Sequence, residues 1–148
     1  MPGLNLSIVV KGAEELGRKL QPDKLLGKPL RRLFDKAAYL VESEAKQELD
    51  KVAKRRTGIL MSSITKEVSP ESIPLWAKVG TNVEYASFIE YGHKQEVGRY
   101  VPAIGKQLVE PFVAARPFMA PAFEKVKDKI KGFMDEVSKL IEEHWRGR

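Results

Sequence analysis

Apolar and polar residues alternate at the start of the chain: Leu4, Leu6 and Ile8 interleave with Asn5 and Ser7, and Val9 and Val10 follow. Alternation puts every second side chain on one face, so this stretch predicts a short strand, which Gly12 breaks. Residues 13–20 suit one or two helical turns, with Leu16 and Leu20 four apart on one face. The period then lengthens. Leu30, Leu33, Phe34, Ala37, Leu40, Val41, Ala45, Leu49 and Val52 recur mostly at steps of three or four. That stripe predicts a long amphipathic helix over about residues 29–54. Pro29 suits its first turn, where a missing N–H costs nothing. Lys54, Arg55 and Arg56 fall at the negative end of its dipole, and Gly58 stops it. Glu42 and Lys46 make a supporting pair one turn apart.

Alternation returns in the middle of the chain. Ile64 and Val68 share a face of residues 62–69, and Leu75, Ala77 and Val79 alternate with Trp76 and Lys78. Ser69-Pro70-Glu71-Ser72 signals a turn, so the two runs predict an antiparallel hairpin with a longer loop. Residues 84–91 read as a short helix closed by Gly92, with Tyr85, Phe88, Ile89 and Tyr91 as core candidates. Between 93 and 116 a strand-like composition is interrupted by Gly98, Pro102, Gly105 and Pro111. Proline cannot donate to a ladder, so edge strands or an extended arm are expected there. A last amphipathic helix, about residues 121–145, carries Ala122, Val126, Ile130, Phe133, Val137, Leu140, Ile141 and Trp145 on its stripe. Lys125, Lys127, Lys129, Lys131 and Glu143 are expected to face away. The fold class is therefore α+β: a small antiparallel sheet packed against a long central helix and a C-terminal helix. One domain is expected over 1–148, with an extended arm at 93–116.

Composition narrows the function. Hydrophobic residues are 43% and charged residues 31% of the 148, the balance of a globular chain, and cysteine is absent. A disulfide scaffold and a thiolate zinc site are excluded. No run is long enough for a secretory signal or a membrane span, which makes a cytoplasmic product the default. The net charge of +6 divides into +5 over residues 1–60, −2 over 61–92 and +3 over 93–148. Basic flanks suit acidic protein surfaces or DNA, but equally solvated helix faces.

Catalytic motifs are missing. His93 and His144 have no second ligand at metal spacing. There is neither a phosphate-binding glycine loop nor a nucleophile elbow. Glu42, Glu44 and Glu48 read as a solvated helix face, without the second carboxylate set of a di-metal bundle. An enzyme is not expected, and no cofactor or metal is called for. Sequence-specific DNA reading lacks a recognition helix with a companion before it, and the aromatics fall on apolar stripes rather than between cations.

Three stretches carry a resemblance. The first is Thr57-Gly58-Ile59-Leu60 with Ser63-Ile64, after a basic-ended helix. The second is Val79-Gly80-Thr81 followed by Tyr85-Ala86-Ser87-Phe88-Ile89-Glu90-Tyr91-Gly92. The third is Arg116-Pro117-Phe118-Met119-Ala120-Pro121-Ala122, leading into the final helix. In this order they resemble the tail-completion, or head–tail joining, proteins of tailed phages, also called minor tail or neck proteins. The resemblance spans about residues 12–140. It implies a virion protein without catalysis, made in the host cytoplasm, that forms a homo-oligomeric ring (a hexamer by carry-over) and docks onto other neck or tail proteins. This chain departs in its link of about 24 residues, His93 to Arg116, longer than such chains usually have. Tyr91, His93, Arg99, Tyr100, Val101, Phe112 and Arg116 are the interface candidates. Arg31, Arg32, Arg55 and Arg56 are candidates for non-specific contact with passing DNA. A small non-specific nucleic-acid-binding or regulatory protein is the alternative reading.

Overall fold

The computed structural model describes residues 5–8, 24–53, 58–69 and 75–147, with side chains from residue 27 onward. The order is β1 (Asn5–Ile8), α1 (Lys24–Val52), α2 (Gly58–Ser63), β2 (Thr65–Val68), β3 (Ala77–Gly80) and α3 (Ala86–Tyr91). Four two-residue strands follow: β4 (His93–Lys94), β5 (Tyr100–Val101), β6 (Lys106–Gln107) and β7 (Phe112–Val113). The last element is α4 (Met119–Arg146). The expected α+β class holds. The helix expected at 13–20, Arg55, Arg56 and most of the 69–72 turn lie outside the described residues.

β3 is the central strand of an antiparallel sheet ordered β1-β3-β2. Lys66 stands opposite Val79, and Val68 opposite Ala77. Ala77 and Val79 are buried under α1, whereas Glu67 and Lys78 pair on the open face. The hairpin loop is closed by Ser69: its N–H donates to the Trp76 carbonyl at 2.9 Å, and its hydroxyl accepts from the Trp76 N–H at 3.3 Å.

α1 starts earlier than its sequence pattern indicates, at Lys24, so Pro29 lies inside it. A proline there removes one hydrogen bond, to the carbonyl of residue 25, and the turns beyond it carry the helix. The stripe itself is as expected: Phe34, Ala37, Val41, Ala45 and Leu49 are buried, in one cluster with Val79, Leu60, Ile64, Ala122, Val126 and Ile130. Burying each larger apolar side chain contributes about 1.5–3 kcal/mol. Residues 58–63 form the short helix α2, so the strand expected from residue 62 starts only at Thr65, and Leu60 drops back into the core.

α4 runs antiparallel to α1. Lys125 reaches Glu44 and Glu48, while the later Phe133 lies under the earlier Lys36, whose Nζ is 4.6 Å from its ring centroid. The solvated face expected for Glu44 and Glu48 is instead the rim of this helix pair, and Lys125 does not face away. Its Nζ donates to Glu44 Oε1 at 3.0 Å and also to Glu48, which accepts from Lys51 at 2.6 Å. A lysine stem is long enough to lie along the apolar seam and present its charge at the edge.

Hydrogen bonding from Lys125, then Lys51, holds the Glu48 carboxyl below its ordinary value of 4.5. Glu48, followed by Glu44, holds the Lys125 ammonium above its ordinary 10.5. A depressed carboxyl contributes stability above its unfolded pKa that is lost as pH falls through the folded one. A raised ammonium contributes stability below its unfolded pKa that is lost as pH rises through the folded one. The melting-temperature gap between wild type and Glu48→Gln is therefore expected to be constant near neutrality and to shrink below pH 4.5. For Lys125→Met the gap should shrink above pH 10.5 instead. Gaps independent of pH would show that the clamp contributes nothing.

Candidate interaction site

Burial on α3 inverts the expectation from residue size. Tyr85, Phe88 and Tyr91 are exposed, Ile89 is half-buried, and the inward positions are Ala86 and Glu90, one turn apart. Glu90 is 4% exposed. Its Oε2 accepts the N–H groups of Phe118 at 2.8 Å and Met119 at 3.0 Å, and its Oε1 accepts that of Ala120 at 3.0 Å. The first N–H groups of a helix have no partner within it, and a negative charge there opposes the helix dipole favourably. α4 has no acidic residue in its first turn and no side-chain cap at Phe118. Glu90 supplies both from another element.

A second junction lies behind it. The Ser63 and Thr81 hydroxyls are 2.6 Å apart, and Thr81 Oγ1 accepts the Val83 N–H at 3.1 Å. The three stretches that carry the resemblance therefore meet in space: the first and second through Ser63–Thr81, the second and third through Glu90.

The 93–116 segment leaves and re-enters the body beside Glu90. It is one irregular antiparallel hairpin. His93 pairs with Val113 and Lys94 with Phe112 at its base, and Tyr100 pairs with Gln107 and Val101 with Lys106 near its tip. Between them the Gly98 N–H donates to the Leu108 carbonyl at 2.7 Å, and the Leu108 N–H donates to the Arg99 carbonyl at 2.9 Å. Two residues thus face one, which is a β-bulge, and Gly98 takes the positive φ of 87° that such a bulge uses. The prolines fit because neither is asked to donate: Pro102 lies in the tip, and Pro111 offers its carbonyl to the Gln95 N–H at 3.0 Å.

At the base, Gly92 has φ 72° and ψ 175°, a region open essentially only to glycine. A Cβ there would stand 2.5 Å from the Val113 carbonyl oxygen. The other end is held by Arg116. Its N–H donates to the Ile89 carbonyl at 2.7 Å, and its Nη1 donates to the Val52 carbonyl at the end of α1, at 3.5 Å.

The interface candidates divide accordingly. Arg116 is half-buried and ties the hairpin to the body. His93 is half-buried, with its ring 5.1 Å from that of Phe88 and its Nδ1 buried without a hydrogen-bond partner among the described residues. Val101 is half-buried and Arg99 exposed. Tyr91, Tyr100 and Phe112 are 68%, 58% and 51% exposed, and Val109, which the sequence did not single out, is 77% exposed. Of the DNA-facing candidates, Arg31 and Arg32 line a cleft beside β2. Val52, at the far end of α1, is about 30 Å along the axis from them. Among the described residues no His, Cys, Asp and Glu cluster could hold a metal ion, and no helix is long and apolar enough to cross a membrane.

The described residues thus form an α+β body with a hairpin on which Val97, Tyr100, Val109 and Phe112 are exposed. The family model described as "Bacteriophage HK97-gp10, putative tail-component" matches residues 7–92, more than half of the chain, and the chain belongs to that family. It is a phage tail-related structural protein, and its place is the virion. Neither the curated proteins nor the solved structures contain a match. The match ends at Gly92, where the hairpin begins.

Removing the Glu90 carboxylate strands two buried N–H groups, so Glu90→Ala is expected to cost about 3 kcal/mol in urea unfolding, and Glu90→Gln less. Gly92→Ala should cost at least about 2 kcal/mol, since strain and a clash with backbone coincide. A loss under about 0.5 kcal/mol in either alanine variant would refute the role assigned to that residue.

Proposed function

We propose that this chain joins the phage head to its tail by shape alone. Copies assemble into a ring, with a hexamer expected, and the ring docks onto other neck or tail proteins without a bond-making site. The observation that carries this reading is the hairpin, which holds Val97, Tyr100, Val109 and Phe112 out in solvent. Exposed apolar groups on a projecting element favour association over isolation. Residues 93–116 thus act as the assembly arm, with Tyr100 and Phe112 as its contacts, Tyr91 of α3 beside its base and Arg99 at their rim. Wild type is made in the host cytoplasm and ends in the virion.

The alternative of a nucleic-acid-binding protein draws on Arg31 and Arg32. They stand in a cleft rather than on an outward ridge, which favours the docking reading.

The test is mass in solution together with particle assembly. Light scattering of the wild-type chain is expected to give a multiple of 16.7 kDa. Tyr100→Ser with Phe112→Ser should reduce it to the monomer and abolish tail joining in a complementation assay. Monomeric wild type, combined with normal infectivity of particles carrying the double variant, would overturn the proposal.

A further inference from the structure

The outward face of α3 is aromatic. A helix turns about 100° per residue. The inward Ala86 and Glu90 therefore leave Phe88 directed straight away from the body, with Tyr85 and Tyr91 about 60° to either side. The base of the hairpin extends this face. The His93 ring lies 5.1 Å from that of Phe88, and the Phe112 ring reaches back to Gly92, next to Tyr91. Tyr85, Phe88, Tyr91 and Phe112 are all exposed, so these rings form an aromatic platform at the root of the hairpin.

Charge divides along the same line. The hairpin tip, residues 97–109, carries Arg99 and Lys106 and no acid, a net +2. The platform and the lower hairpin, residues 84–96 and 110–113, carry Glu84, Glu96 and Glu110 against Lys94. That is a net −2 once the buried Glu90, already met by three N–H groups, is set aside. Among the described residues none of these exposed charges has an ion-pair partner. The tip also holds Val97, Tyr100, Ile104 and Val109 in solvent. One chain thus carries an apolar, positive knob and an aromatic, negative platform. The knob cannot reach its own platform. Strand pairing at both ends of the hairpin keeps it from folding back, and the chain from His93 to Val101 spans about 25 Å when extended.

We infer that the hairpin tip of one copy of this chain seats on the α3 platform of a second copy, with Tyr100 among the rings and Arg99 and Lys106 toward the acidic rim. Aromatic faces attract cations as well as apolar groups, so both kinds of side chain on the tip find partners there. The two surfaces differ, so the contact is head-to-tail. Every copy gives a tip and takes one, and such a series closes into a ring when the rotation per copy closes. A tip-to-tip pair fits less well, since it sets Arg99 and Lys106 against their own counterparts. DNA matches the charge of the tip but not that of the platform. The inference deepens the assembly reading and rests on it in taking the hairpin for the arm.

The chain has no cysteine, so single thiols can be introduced without background from native ones. Full chain carrying Ala103→Cys, at the tip, is mixed with full chain carrying Ser87→Cys, at the edge of the platform, and a short thiol-to-thiol linker is added. Ser138→Cys, roughly 30 Å along α4 from the Glu90 junction, replaces Ser87→Cys to give the level of chance linking. The tip–platform mixture is expected to give a linked dimer of twice 16.7 kDa well above that level, and either chain alone to give none. Phe88→Ser in the platform chain should cut the yield at least about fivefold. Arg99→Glu with Lys106→Glu in the tip chain should do the same, and added salt should lower the yield. These side chains are exposed, so the variants should melt as the wild type does. Linking no higher than with Ser138→Cys, equal linking of the tip chain to itself, or a yield that both sets of substitutions leave unchanged would overturn the inference. Linking without a multiple of 16.7 kDa in light scattering would keep this contact and remove the ring. A multiple without linking would keep the ring and remove the contact.

Discussion

A carboxylate shut away from water must be met by donors, and in this protein three backbone N–H groups meet the one at Glu90. The demand runs both ways. The start of α4 exposes donors that its own sequence does not satisfy, and α3 carries an acceptor that cannot stay unpaired inside. Their union fixes where α4 begins. From there α4 lies along α1, and the buried alanines Ala37, Ala38, Ala45 and Ala122 leave room for the two backbones to approach. Lys125 then locks the register from the rim.

Elements whose burial repeats with a fixed period were legible in the sequence. α1, α4, β3 and the β2–β3 hairpin all follow from spacing, since a buried face selects apolar residues at the interval of the element that owns it. The errors fall where no period operates. Six residues, Gly58–Ser63, are too few to show a helical stripe, so the pattern gives no helix there and assigns the last two to the following strand. On α3 the large Tyr85, Phe88 and Tyr91 face solvent, whereas the small Ala86 and the charged Glu90 turn inward. Pro29 marked a helix start that lies five residues earlier.

The polar junctions were illegible for a different reason. Glu90 finds its donors 28 to 30 residues away, and Lys125 finds Glu48 at a separation of 77. A polar residue destined for a distant partner looks, in one sequence, the same as one destined for water. The only hint was negative: α4 opens without an acidic residue in its first turn, so a cap had to come from elsewhere. For the interface set, sequence composition identified the arm but could not separate Arg116, which anchors it, from Tyr100, which it displays.

The hairpin's two roots lie together: Gly92 packs closely against the returning strand at Val113, and Arg116 is tied to Ile89 and Val52 of the body. Chain added between two points already held together costs little extra closure entropy, because that cost grows only with the logarithm of length. The base thus works as a socket. A segment rooted in this way can vary in length at little cost to the fold that carries it, and the family model's match ends at residue 92, one residue before the first strand of the hairpin.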